Sequence, residues 1–550
     1  MTCCRNLFYL CLLGLTTSGI SAPGRAQTPS APDSIDSHNT PGSTRPPLRQ
    51  IAYIKASNTG AGDQFGVGGT LLGNAVALSA DGSTLAVGAP VESSGASGIN
   101  GRQDDDSTYG AGAVYVFAYA GESWTQQAYV KASNTGSSDK FGYFVALSAD
   151  GDTLAVSAYF ESSGAKGIDD GQDDDSIPQA GAVYVFTRHD GTWSQQAYLK
   201  ASNTGEAGRG DELGDGDQFG FSLTLSDDGD TLAVSAITED SGASGIDGDQ
   251  SDNSQSSAGA VYLFTRAGSA WTQQAYIKPT NPGAGDLFGY SVSLTADGNM
   301  LAVGSFDEDG SLAGTNERQN DDQAGTGAVY VFTRIDSDWK QTAYLKASNA
   351  ERGDSLGVTV AISDDGNTLA AASLDEDSET TGINSIPMRD RAADRSTGAV
   401  YVFVRDRGTW SQQAYIKASN TGRYDWFGSR LALSGDGHTL AVGAQLEDSA
   451  SRGINAKQDD ETAQEAGAVY LFARDGSAWT QDAYVKGSNT DAYDEFGSSL
   501  ALSQDGTLMA VGARSEDSAA TRINGEQGDN SVYESGAVYL FSRADTPDAG

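Results

Sequence analysis

Seven times along the chain a glutamate is followed eight residues later by Asp or Asn, and in six of those cases an Asp stands five residues further on. The six intact sets are Glu92, Asn100 and Asp105; Glu161, Asp169 and Asp174; Glu239, Asp247 and Asp252; Glu308, Asn316 and Asp321; Glu447, Asn455 and Asp460; and Glu516, Asn524 and Asp529. The remaining set, Glu376 and Asn384, has Arg389 at the third place and Asp390 one residue later. Carboxylate and amide oxygens at fixed loop positions are the ligand types that Ca²⁺ takes, six to eight at a time and in irregular geometry. The six intact sets are therefore the expected metal ligands, and Ca²⁺ the expected cofactor. A plainer reading stands beside it, in which Glu and Asx accept hydrogen bonds from loop amides and shape the turns.

Nucleophilic or acid–base catalysis calls for one unrepeated constellation in which a nucleophile or base is held by an orienting partner. None stands out: His38, His189 and His438 have no repeated counterpart, and the three cysteines, Cys3, Cys4 and Cys11, all fall at the very start. A glycosidase-like carboxylate pair could hide among so many acids. Arg209-Gly210-Asp211 and Arg352-Gly353-Asp354 spell a short recognition tripeptide, which chance explains in a chain this rich in Gly and Asp.

With 34 Lys and Arg against 74 Asp and Glu, the formal charge is −40. A surface of that sign repels phosphate backbones and anionic lipid head groups, so nucleic-acid and membrane-surface partners are excluded and cations favoured. Arg5 precedes an apolar stretch from Leu7 to Leu15 and small residues follow, which reads as a secretory signal over residues 1–26. That stretch is too short to span a bilayer. Residues 27–49, with five prolines among Ser and Thr, read as a disordered linker, and residues 545–550 as a disordered tail.

The elements that would position these residues come from repetition. A Gly-Ala-Val-Tyr element or its near equivalent begins at Gly112, Gly181, Gly259, Gly327, Gly398, Gly467 and Gly536. An Asp-x-Phe-Gly element carries Phe65, Phe141, Phe219, Phe288, Phe427 and Phe496, with Leu356 in the fifth copy. Each unit holds four short strand candidates, A to D, rich in Val, Tyr, Leu and Phe and bounded by Gly, Asp, Asn and Ser. Asp-Gly pairs such as Asp81-Gly82 and Asp150-Gly151 read as two-residue hairpin turns between A and B, too short to surround an ion. Radial repetition of four-stranded antiparallel units predicts an all-β fold, a seven-bladed propeller over residues 50–544. The last unit lacks its D strand, whereas Ile51 to Ser57 precedes the first unit as an orphan D strand, so the N-terminus is expected to complete blade seven and close the ring.

Phe-Gly, then Leu-Ala-Val-Gly-Ala-Pro at 85–90, then Gly-Ala-Val-Tyr-Val-Phe at 112–117, resembles the FG-GAP repeat of integrin α-type propellers and their bacterial relatives. The resemblance implies a seven-bladed ring and extracellular recognition. Integrin calcium sites use an Asp-x-Asp-x-Asp-Gly loop that is missing here, so they are not carried over. The resulting expectation is an exported, monomeric, non-enzymatic binding or adhesion module for an extracellular protein or glycan. The alternative is a hydrolase that uses the ring as scaffold, with its site in an irregular blade; the insertions Val67–Asn74 and Glu206–Asp215 are the places to look. A shifted carboxylate near the central opening would mark that alternative.

Overall fold

The computed structural model describes residues 45–67, 73–205, 216–310, 324–387 and 395–543. The signal, most of the linker, the tail, the insertion at 206–215, and the predicted ligands Asn316 and Asp321 lie outside the described residues.

Seven four-stranded antiparallel sheets follow one another, each joined in the order A-B-C-D. Blade six serves as the pattern, with strands Phe427–Leu433, Thr439–Ala444, Ala468–Asp475 and Ala478–Val485. The B strands are buried along their whole length in most blades, because both of their faces are covered by neighbouring blades. Blade seven takes its fourth strand from the other end of the chain: Arg49–Ile54 pairs antiparallel with Ala537–Ser542, Tyr53 standing opposite Tyr539. The predicted closure is what the structure contains. Residues 45–48, assigned to the linker, already lie against the ring, with Leu48 buried and the Arg45 guanidinium donating to Thr439 Oγ1.

The A–B turns are longer than expected. The Ser79 N–H bonds to the Thr84 carbonyl and leaves four residues between them, with Asp81 Oδ1 accepting from both Ser79 Oγ and the Ser83 N–H. Short polar side chains satisfy these turn amides, which is why Ser and Asp recur there. Successive A–B turns also bond to one another around the ring. Ala80 donates to Ala149, Ala149 to Asp227, Asp227 to Ala296, Asp364 to Gly435, Gly435 to Gln504, and Gln504 back to Ala80. This main-chain girdle narrows one end of the central channel.

At the opposite end, each Phe-Gly loop docks on the preceding blade: the Phe141 N–H bonds to the Ala111 carbonyl, while the Phe141 ring packs edge-on against Tyr184 of its own blade. Gly112 must be glycine, since its φ is positive and a Cβ there would collide with the Phe141 carbonyl oxygen.

Candidate functional site

The predicted ligand sets are divided by the structure among three separate tasks. Each glutamate is buried and paired with a lysine at the end of its own blade's D strand: Glu92 with Lys131, Glu161 with Lys200, Glu239 with Lys278, Glu308 with Lys346, Glu376 with Lys417, Glu447 with Lys486 and Glu516 with Lys55, at 2.7–2.9 Å. The other oxygen of Glu92 accepts from the Tyr129 hydroxyl and from Asn58 Nδ2. Asn58 arrives from the end of the preceding blade and also accepts from Tyr115, so the cluster ties blade to blade. A buried carboxylate and ammonium are tolerated only with this degree of mutual satisfaction.

The Asx residues do something different. Asn100, Asp169, Asp247, Asn384, Asn455 and Asn524 all have positive φ. The side chain of each accepts from the main-chain N–H of a D-strand tyrosine, as Asn100 does from Tyr129 at 3.0 Å and Asn524 from Tyr53 at 2.9 Å. The residue before it forms an antiparallel bridge to that strand, Ile99 with Val130 for instance. The B–C loop thereby covers the outer sheet edge, which would otherwise offer unpaired amides to another chain. The third residues, Asp105, Asp174, Asp252, Asp460 and Asp529, are half-buried or exposed, and Asp105 and Asp174 each accept from the N–H two residues on. The three positions thus stand in three distinct hydrogen-bonding arrangements. Among the described residues no group of three or more His, Cys, Asp or Glu side chains is arranged to hold a metal ion.

The Asp of Asp-x-Phe-Gly caps its turn. Asp63 Oδ2 accepts from Gly60 at 2.8 Å, and Asp139, Asp286, Asp354, Asp425 and Asp494 repeat the bond. Asp354, the last residue of one recognition tripeptide, is consequently buried.

What the repeat does not fix is the residue between Asp and Phe. Gln64, Lys140, Gln218, Leu287, Ser355, Trp426 and Glu495 occupy this position, all with positive φ. The residues directly after the B strands differ as freely: Pro90, Tyr159, Ile237, Phe306, Leu374, Gln445 and Arg514. Those from blades two to five meet in one apolar cluster with Tyr143, Phe221, Tyr290 and Val358, at or just before the starts of the A strands. Ring centroids are 4.0 Å apart for Tyr143 and Tyr159, 5.1 Å for Phe221 and Tyr290, and 4.2 Å for Tyr290 and Phe306. Lying just after the B strands and at the starts of the A strands, away from the A–B turns, these rings form an aromatic wall at the loop-bearing end of the ring.

Blades six and seven supply charge at the same end, and blade one a neutral amide, Gln64. Both oxygens of Glu495 lie 3.5 Å from Arg514 Nη1, and each side chain is 14% exposed. The Glu495 N–H bonds to the Glu465 carbonyl. Glu534 accepts from Gln64 Nε2 at 3.3 Å. Glu465 and Glu534 hold the same place before their Gly-Ala-Val-Tyr elements, again with positive φ. Burial holds the Glu495 carboxyl above the ordinary range, with Glu465 and Glu534 pushing the same way and Arg514 pulling back. Gln445 Oε1 and Arg514 Nε are buried without hydrogen-bond partners. A carboxyl group whose pKa is raised, beside further carboxylates and an aromatic wall, is suited to donating a proton to a leaving oxygen while a neighbour activates water.

Two residue types carrying these arrangements escaped the reading of the sequence. The lysine that neutralises each glutamate stood in plain repetition in Ile-Lys-Ala-Ser-Asn and its variants, and an invariant lysine in an apolar strand signals a buried partner. Glu495 is the one glutamate at its place in the repeat, and Glu465 and Glu534 share a place that Gly, Gln or Ser fills in the other five blades, so no pattern marked them. Of the two insertions singled out, that of blade one reaches the centre: the Gly73 carbonyl accepts from Arg430.

The FG-GAP repeat family model matches residues 124–186, 271–332, 410–472 and 479–541. Each match begins near a D strand and ends in the next blade's C strand, the same offset that lets the leading strand close the ring. No curated protein sequence matches the chain. Among solved structures, the chain is similar to a candidate 6-phosphogluconolactonase from Bacteroides uniformis, at 12% identity with TM-score 0.43, covering 76% of this chain and 88% of that one. It is also similar to the periplasmic gluconolactonase of Pseudomonas aeruginosa, at 16% identity with TM-score 0.44, covering 81% and 98%. Both proteins are named as enzymes, against the expectation of a non-enzymatic binding or adhesion module, which is withdrawn; what the chain itself does is argued from its own residues. No helix among the described residues is long and apolar enough to cross a membrane. With its four matched repeats and its closed ring of seven blades, the chain is an FG-GAP repeat β-propeller protein.

Proposed function

We propose that the protein is a hydrolase whose site lies on the ring axis at the loop-bearing end, with Glu495 as proton donor. The observation that carries the reading is the mostly buried Glu495–Arg514 pair beside Glu465 and Glu534, at a point where seven otherwise equal blades stop being equal; burial raises the Glu495 carboxyl above its ordinary range. Glu465 and Glu534 are the candidate bases for an attacking water, and Arg514 orients Glu495 and offsets developing negative charge. The rings of Tyr159, Phe306 and their neighbours offer flat apolar surface against which a sugar-like ring can stack. The girdle of A–B turns narrows the far end of the channel, so substrate enters from the loop side.

The test is a panel of lactones and chromogenic glycosides assayed with the natural chain and with Glu495→Gln. The natural chain should turn over at least one of them, and the variant should be slower by about 10²–10⁴-fold, the usual contribution of a positioned acid or base. Equal rates for the two proteins, or no turnover across the panel, would contradict the assignment.

A further inference from the structure

Of the seven equivalent places on the A strands, Ala75, Phe144, Ser222, Ser291, Thr359, Arg430 and Ser499, one carries a charge. Arg430 is 4% exposed. Its guanidinium donates to two main-chain carbonyls, Nη1 to Ser429 at 2.5 Å and Nη2 to Gly73 at 3.1 Å, and Nε has no partner. The seven buried lysines each have a carboxylate within 2.9 Å, whereas among the described residues no carboxylate stands within ion-pair distance of Arg430. The groups that act on it electrostatically are Tyr143 of blade two, Tyr290 of blade four and Glu495 of blade seven, which places the guanidinium between the aromatic wall and the acidic side. The Tyr143 phenol is itself held by the Gly73 main chain. A buried cation bonded to carbonyl dipoles alone is costly relative to a paired one, and Glu495 acts on it only from beyond ion-pair distance. Carbonyls also fix the plane of the fork without cancelling its charge, the arrangement that suits bidentate capture of a planar or tetrahedral oxyanion.

We propose that Arg430 binds an oxyanion on the ring axis, so that the substrate of the hydrolytic site bears a carboxylate or phosphate group beside the bond that is cleaved. The inference rests on the hydrolase reading for its biological sense, although anion binding can be measured without turnover. Inorganic phosphate and gluconate serve as probes in calorimetric titration and in thermal unfolding of the natural chain, Arg430→Gln, Arg430→Lys and Glu495→Gln. Saturable binding of either probe to the natural chain is expected, with a raised unfolding midpoint; phosphate alone would identify a phosphoryl group and gluconate alone a carboxylate. Arg430→Gln should weaken binding more than about tenfold, Arg430→Lys should keep part of it, and Glu495→Gln should bind as the natural chain does while losing turnover. Should Arg430→Gln not fold, weaker binding by Arg430→Lys, which keeps the charge but loses the fork, decides in favour. Binding that is absent from the natural chain, or unchanged in both Arg430 variants, overturns the proposal; turnover of neutral substrates alone would overturn it while sparing the hydrolase.

Discussion

Two zones of the ring obey opposite rules. Around the blades' loop ends, lysine, glutamate, tyrosine and asparagine recur seven times in nearly one geometry, with Lys–Glu distances that differ by no more than 0.2 Å. At the axis, structurally equivalent places hold Gln, Lys, Leu, Ser, Trp and Glu. A side chain needed to join each blade to the next has to recur with the blade, since every junction poses the same problem. A reaction needs one acid in one place, and repetition cannot supply it. Regularity therefore marks architecture in this molecule, and departure from regularity marks chemistry.

The sharpest way to break the comparison is to remove half of one tie. Lys131→Met strands the buried Glu92 carboxylate and should cost about 3–5 kcal/mol in urea unfolding, whereas adding Glu92→Gln should recover much of the loss. A single-variant cost no larger than that of a surface substitution would show that the ties are ornamental.

A smaller effect per residue is expected from pH. Burial pushes Asp63, Asp139 and Asp425 up to about 7 and Asp354 and Asp494 up to about 8. Because these pKa values are raised on folding, the native state binds protons that the unfolded chain releases. Their contribution is complete below the ordinary carboxylate range and is lost as pH rises through 7 to 8. The unfolding free energy should fall between mildly acidic and mildly alkaline buffer by about 1 kcal/mol for each such aspartate, and the midpoint with it, and Asp494→Asn should flatten the profile. A midpoint that rises with pH would contradict the burial of these groups.

The smallest expected effect concerns metal. With every tie glutamate already neutralised by lysine, a chelator should leave the calorimetric midpoint where it was, and a clear drop would restore the calcium reading.

How much of this was legible beforehand follows the same division. Hairpin signals such as Asp150-Gly151, the six Phe-Gly elements with Leu356-Gly357, the seven Gly-Ala-Val-Tyr elements, and the orphan strand at Ile51 are local and periodic, so blade number and ring closure could be read from them. The roles of Glu92, Asn100 and Asp105 could not be assigned in that way. Constant sequence spacing was taken for convergence, but an extended loop sends Glu92 inward to Lys131 and turns Asn100 onto the outer strand. Glu495 and Arg514 lie nineteen residues apart in a unit otherwise like its neighbours, and only closure of the ring brings them opposite Tyr143 and Tyr290.

Blade seven carries both kinds of glutamate, Glu516 in a tie with Lys55 and Glu495 on the axis, and comparing their glutamine variants tests the account most directly. Unfolding midpoint and turnover per folded molecule should separate: Glu516→Gln lowers the midpoint and keeps the turnover, while Glu495→Gln keeps the midpoint and loses the turnover. If the two variants instead behave alike, or exchange their effects, the division between repeated architecture and unrepeated chemistry is wrong.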